Sequence, residues 1–128
     1  MPRVDFAPAT LDDCREAMRL FTGKEWPIPM RVMAIAARVE GRLLGVGGIA
    51  FRPDGYRVAF LDVGDEGRSY PVALHKAALK VIEMAKDAKV RRLIATTTGM
   101  HPKSPKWLVH LGFRVEMFDG GMIYVRDL

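Results

Sequence analysis

The sequence predicts an α+β (mixed α/β) domain in which helices flank a single sheet, and three observations carry that reading. Residues 31–63 hold three consecutive strand-like runs separated by tight-turn signals, which is the pattern of an antiparallel meander. Residues 70–88 then carry apolar side chains at helical spacing. The β-branched run 90–98 that follows must rejoin the same sheet, and a strand–helix–strand crossover makes 56–63 and 90–98 parallel neighbours.

Taken in order, the chain opens on "RVDFA", residues 3–7, whose alternation fits a short strand. A helix follows in "ATLDDCREAMRLF". Thr10 can cap it, Asp12 and Asp13 lie in its positive first turn, Leu11, Cys14, Met18, Leu20 and Phe21 supply the apolar stripe, and Gly23 ends it. "KEWPIPM", 24–30, carries two prolines and reads as a loop or one broken turn. In the meander, "RVMAIAARV" (31–39) is apolar enough for a central strand, and "EGR" (40–42) is a tight turn. "LLGVGGIAF" (43–51) is the partner strand, with glycines that suggest a bulge or a close backbone approach. "RPDG" (52–55) reads as a type I turn into the third strand, "YRVAFLDV" (56–63).

Ser69 fits an N-cap and Pro71 the first turn of the helix near 70–88, whose stripe is Leu74, Ala77, Ala78, Val81, Ile82 and Ala85. "VRRLIATTT" (90–98) is a buried strand. Ser104 can cap and Pro105 can open a short helix that ends at Gly112. Residues 113–118 and 122–127 form a closing hairpin around "DGG", 119–121. The sum is about seven strands with three to four helices.

At 128 residues, 1–128 reads as one domain, and 49% hydrophobic with 27% charged residues excludes bulk disorder. Apolar runs such as Met33–Ala37 are far too short to span a bilayer, and the N-terminus lacks a signal-peptide core, so a cytoplasmic protein without membrane contact is expected. The net charge of +5 suits an anionic ligand, while the scatter of the basic residues argues against a nucleic-acid surface. The single Cys14 allows no internal disulfide and reads as core filler. Three histidines and one cysteine, dispersed along the chain, offer no metal spacing. There is also no P-loop lysine motif, nucleophile elbow or helix-turn-helix signature.

Two stretches carry more. "HPKSPKWLVHLGFRVE", 101–116, is a short helix ending Leu111-Gly112-Phe113 and running into a strand. "VGDEGRSYPVALHKAAL", 63–79, is a strand end, a loop with Arg68 and a helix start. On these stretches and the element order from about 3 to 127, the chain resembles the GNAT superfamily of acyl-CoA-dependent N-acyltransferases. The first stretch is similar to that family's N-x-x-A-x-x-L-Y-x-x-x-G-F pattern, with His101 at the Asn position, Ser104 at the Ala position and Leu108 at the Tyr position. The second is similar to its cofactor loop, L-x-V-x-P-x-x-R-G-x-G-I-G. Leu61, Val63, Arg68 and Val72 keep their places, and Ser69, Pro71 and Ala73 stand where glycines are usual.

The resemblance implies a GNAT-like fold and transfer of an acetyl or other acyl group from acetyl-CoA to an amine by direct attack. It implies that Arg68 and the amides of Ser69, Tyr70, Val72 and Ala73 hold the pyrophosphate, that the backbone at Leu61–Val63 holds the pantetheine arm, and that Asp62, His101 or Ser104 manage protons. His110 is another proton-bearing neighbour, read as a solvated helix residue. Helix N-termini bind phosphate through unpaired N–H donors, so Pro71 deletes one donor, and Asp65 and Glu66 add opposing charge. A plain helix start is the alternative reading of the loop, and an exposed strand residue that of Asp62. The family also includes compact members encoded by phages, so a GNAT-fold protein without catalysis, serving as a binding or virion-associated module, is the second reading. A nucleic-acid accessory domain is the third, resting only on charge. The acceptor is not coded: Trp26 and its neighbouring prolines could line an acceptor pocket or the face of a homodimer.

Overall fold

The sheet is organised by two tight hairpins whose turns the sequence dictates. Glu40–Gly41 and Asp119–Gly120 each have positive φ at both residues (49° and 81°, 49° and 77°), which is the type I′ geometry whose twist matches the flanking strands. Around them the chain forms seven strands: β1 (Val4–Ala9), β2 (Arg31–Val39), β3 (Arg42–Phe51), β4 (Arg57–Val63), β5 (Arg92–Ala95), β6 (Arg114–Phe118) and β7 (Gly121–Asp127). Three helices, α1 (Leu11–Thr22), α2 (Pro71–Asp87) and α3 (Ser104–His110), and a 3-10 turn at Gly67–Ser69 complete the described elements. The structure is a computed structural model that describes residues 3–23, 25, 31–95 and 104–128, with the side chain of Ser104 outside that set.

The strand order is β1-β2-β3-β4-β5-β7-β6. All pairs are antiparallel except β4–β5, which is parallel and joined at Val58↔Ile94. The mixed sheet with its parallel pair is as the sequence predicts. β1 reaches Ala9 rather than stopping at residue 7, because its pairing with β2 runs from Val4↔Val39 to Ala9↔Ala34. Pro8 is tolerated there since β1 is an edge strand. The irregularity expected of the glycine-rich strand is found: Ala37 pairs Gly45 while Arg38 pairs Leu43, leaving Leu44 as the extra residue of a bulge.

The core lies on both faces. α1 carries a capping box, with the Asp13 amide donating to Thr10 Oγ1 (3.1 Å) and the Thr10 amide to Asp13 Oδ2 (2.9 Å), and it closes on Gly23 at φ 70°. It packs Cys14 and Ala17 on Ala34, Ala36 and Val46, small side chains that let the helix lie close. On the opposite face α2 and α3 bring Val81, Ile82, Ala85, Leu108 and Leu111 against Ile49, Leu93, Phe113 and Tyr124.

Two boundaries differ from the sequence reading. Ser69 does not cap α2: it ends the 3-10 turn, and Tyr70 is the N-cap, without a side-chain cap bond, ahead of Pro71. The expected strand 90–98 starts at Arg92, two residues late, and is described as far as Ala95; residues 96–98 lie outside the described residues, as do His101 and Trp26.

Candidate functional site

The site is built at the C-terminal end of β4. β4 stays paired to β3 as far as Gly45↔Val63, and among the described residues, which end at Ala95 on β5, it pairs with β5 at Val58. The backbone of Leu61–Val63 therefore has, among the described residues, no strand bonded on its β5 side. That segment leads into the loop 64–70 and the N-terminus of α2.

The two faces of this segment differ in chemistry. Leu61 and Val63 face α2 and line a narrow apolar cleft with Phe6, Tyr70, Ala73 and Leu74. Asp62 points to the α1 face, opposite Val46. Its Oδ2 is buried with no hydrogen-bond partner among the described residues, and that burial pushes its pKa above the ordinary carboxylate value. Cys14 lies near enough to feel it: burial first, then Asp13 and Asp62, push the thiol up to about 11. Cys14 is thus a protonated core residue, as its sequence context suggests.

The loop's glycines serve packing. A Cβ on Gly67 would sit 2.5 Å from Val63 Cγ1 and 2.7 Å from the Leu44 carbonyl oxygen, and one on Gly64 would sit 2.6 Å from the Phe21 ring. Holding the loop this tightly uses several amides. The Arg68 amide donates to the Gly64 carbonyl (3.2 Å), Ser69 to Glu66 (3.0 Å) and Tyr70 to Gly67 (3.0 Å). The expectation that the Ser69 and Tyr70 amides stand open is therefore corrected: the 3-10 turn consumes both. Val72 and Ala73, in the first turn of α2, keep the unpaired donors that every helix start leaves. Arg68 is exposed and in no ion pair among the described residues. Glu66, read from sequence as opposing an anion, is instead held by Arg42 through a 2.6 Å and a 3.1 Å bond, which keep its carboxyl below the usual range. The net balance at the loop is more positive than the residue types alone suggest.

α3 presents its chemistry differently from the sequence reading. Leu108 is buried in the core. Trp107 instead reaches α2, its Nε1–H donating to His75 Nδ1 (3.2 Å), with the exposed His110 ring 6.0 Å from that of His75. His75 was not legible as a site residue, because its partner lies 32 residues away and only the packing of α3 on α2 brings them together. Trp107→Phe keeps an aromatic ring, though a smaller one, and removes this bond; the lost bond alone is expected to cost about 1 kcal/mol, read as a lowered melting temperature. Ser104 is the first residue of α3. Among the described residues no three His, Cys, Asp or Glu side chains form a metal cluster, and no helix is long and apolar enough to cross a membrane.

Comparison with known proteins places this geometry. No protein-family profile and no curated protein matches the chain in sequence. Solved structures do match in fold. An acetyltransferase from Thermus thermophilus is 22% identical, with all of both chains covered and a TM-score of 0.64. An acetyltransferase of the GNAT family from Staphylococcus aureus is 12% identical, covering 98% of this chain and 99% of its own, with a TM-score of 0.70. The Salmonella typhimurium protein yncA, solved with its cofactor acetyl-CoA, is 12% identical, covering 98% and 94%, with a TM-score of 0.73. With its seven-stranded sheet, its one parallel pair and its three helices, the chain has the GNAT acetyltransferase fold.

Proposed function

We propose that the chain is an acyl-CoA-dependent N-acyltransferase, moving an acetyl or other acyl group to an amine by direct attack, as one cytoplasmic domain over residues 1–128. The observation that carries the reading is a helix start with open donors just past the end of β4, on a fold shared with a protein solved with acetyl-CoA.

The residues present fit a phosphate-bearing group. The amides of Val72 and Ala73, the positive end of α2 and the unpaired Arg68 converge on the loop, and Arg42 removes the charge of Glu66 from the balance. Ser69 and Tyr70 border this site without contributing their amides. The backbone of Leu61 and Val63, at the end of β4, would hold an extended amide-bearing arm. Bound acyl-CoA supplies the acyl group as a thioester.

Asp62 is the base. Its carboxylate, desolvated and without a bonded donor at Oδ2, takes the proton from the amine as nitrogen bonds to the acyl carbon. The carbon–sulfur bond breaks, and the sulfur needs a proton that His101 or Ser104 would deliver, since Leu108 is buried and carries none. Arg68→Ala tests the loop. Losing one charge-assisted contact of about 1.5–3 kcal/mol weakens acetyl-CoA binding by roughly ten- to a hundred-fold in a titration. Unchanged affinity would place the pyrophosphate elsewhere.

A further inference from the structure

We infer that β6 is a dimerisation edge, joined to β6 of a second copy in an antiparallel register centred on Val115; this stands independently of the proposed activity. β6 is the last strand of the sheet, and among the described residues nothing pairs its outer side. Edge strands are usually blunted by proline, lysine or a bulge. The other edge, β1, carries Pro8, whereas β6 reads Arg114-Val115-Glu116-Met117-Phe118, with no proline, lysine or bulge and with two charges of opposite sign that can pair across a two-fold axis. Its side chains are also unusually apolar for an edge: Met117 is 71% exposed, Val115 47%, and Met122, directly opposite Met117 on β7, 63%.

The turn fixes which backbone groups are free. A two-residue hairpin makes Phe118↔Gly121 a hydrogen-bonded pair. Alternation then turns the groups of Glu116 and Arg114 toward β7, and those of Val115 and Met117 outward. Three registers use those outward groups symmetrically, and centring on Met117 sets Glu116 against Phe118 of the partner subunit and pairs no charges. Centring on Glu116 sets Glu116 against Glu116 of the partner subunit, a like-charge pair. Centring on Val115 sets Arg114 against Glu116 of the partner subunit on both sides of the axis, and Val115 against the partner's Val115.

Charge complementarity therefore selects both the occupant, a second copy of this chain, and the register. In it the Val115 groups bond reciprocally, and the Met117 amide meets the carbonyl of the partner's Phe113. The Phe113 amide itself is already bonded to the Leu108 carbonyl (3.0 Å). Overall repulsion is absent as well. Arg92, Arg114, Glu116 and Asp127 form one network of two cations and two anions beside the edge, with contacts of 2.7–3.9 Å.

Cross-linking tests the register. Opposed residues of a hydrogen-bonded antiparallel pair lie about 5.5 Å apart at Cα, inside the roughly 4.4–6.8 Å that a disulfide spans. Val115→Cys should form an interchain disulfide on mild oxidation. Met117→Cys should not, although Met117 is the more exposed residue, because the two copies of it lie roughly 13 Å apart along the strands. The native Cys14 is buried and does not compete. In sedimentation the wild-type chain should run as a dimer. Met117→Pro removes an outward amide only and should give a monomer with an unchanged circular dichroism spectrum. Should that variant fail to fold, Val115→Lys, which sets like charges across the axis, should give the monomer instead. A wild-type monomer at every concentration, a dimer that a folded edge variant leaves intact, or cross-linking at 117 rather than 115 would overturn the proposal.

Discussion

Replacing Asp62 with asparagine should lower turnover about a hundred- to ten-thousand-fold, the usual worth of a positioned general base, while raising the melting temperature at neutral pH. Both effects come from one geometry. Asp62 lies on the α1 face of β4, with its Oδ2 buried and unbonded, so the ionised form is paid for in lost hydration. Asparagine keeps the shape and removes the charge, relieving a cost of about 1–3 kcal/mol, and it cannot take a proton from an amine. The pH dependence has a definite sign. The folded-state pKa lies above the ordinary 3.8, because burial disfavours the anion. The folded chain therefore binds this proton more tightly than the unfolded chain, and the stability linked to it is full below 3.8 and falls as pH rises through the raised folded value. Thermal melts across the acid range should show this decline in the wild type and not in Asp62→Asn. A variant that melts lower than wild type at neutral pH would show that the carboxylate is bonded after all. One that keeps full activity would remove Asp62 from the proton path.

Gly48→Ala should be the most damaging single methyl in the sheet. Gly48 pairs Ala34 on one side and Phe60 on the other, at the centre of the meander. A Cβ there would come within 2.8 Å of Ala34 Cα and 2.9 Å of Ala34 Cβ, and closer still to the Met33 carbonyl oxygen. These atoms belong to a strand held on both sides, so they cannot step aside as the end of a flexible side chain would. Overpacking of this kind costs about 1–3 kcal/mol or more, a large share of the roughly 5–15 kcal/mol that stabilises a domain. A fall of several degrees in melting temperature, with β4 and the loop after it displaced, is the expected reading. An unchanged melting temperature would mean β2 and β3 pair more loosely than their register implies.

The fold was legible because its key signals are local. "EGR" and "DGG" mark their own tight turns, Thr10 marks the cap of α1, and the helix between two strand-like runs forces the parallel pair. The site was legible only in part. Asp62 stood out as the one carboxylate on β4, but its burial depends on how closely Cys14 and Ala17 bring α1 to the sheet, and that is a tertiary fact. Ser69 followed by Pro71 reads as a capped helix start, yet the close fit of Gly67 under Leu44 draws the chain into a 3-10 turn that takes the Ser69 and Tyr70 amides first. Likewise Glu66 reads as a charge opposing an anion until Arg42, 24 residues earlier, is seen to hold it.

We propose that the end of β4 and the start of α2 bind an acyl-CoA despite serine, proline and alanine at the glycine positions. Calorimetric titration of the wild-type chain with acetyl-CoA tests it most directly. Saturable heat with one site per chain, weakened in Arg68→Ala, is the expected result. No heat and no thermal shift at millimolar ligand would contradict it, and would leave the fold serving as a binding module without this chemistry.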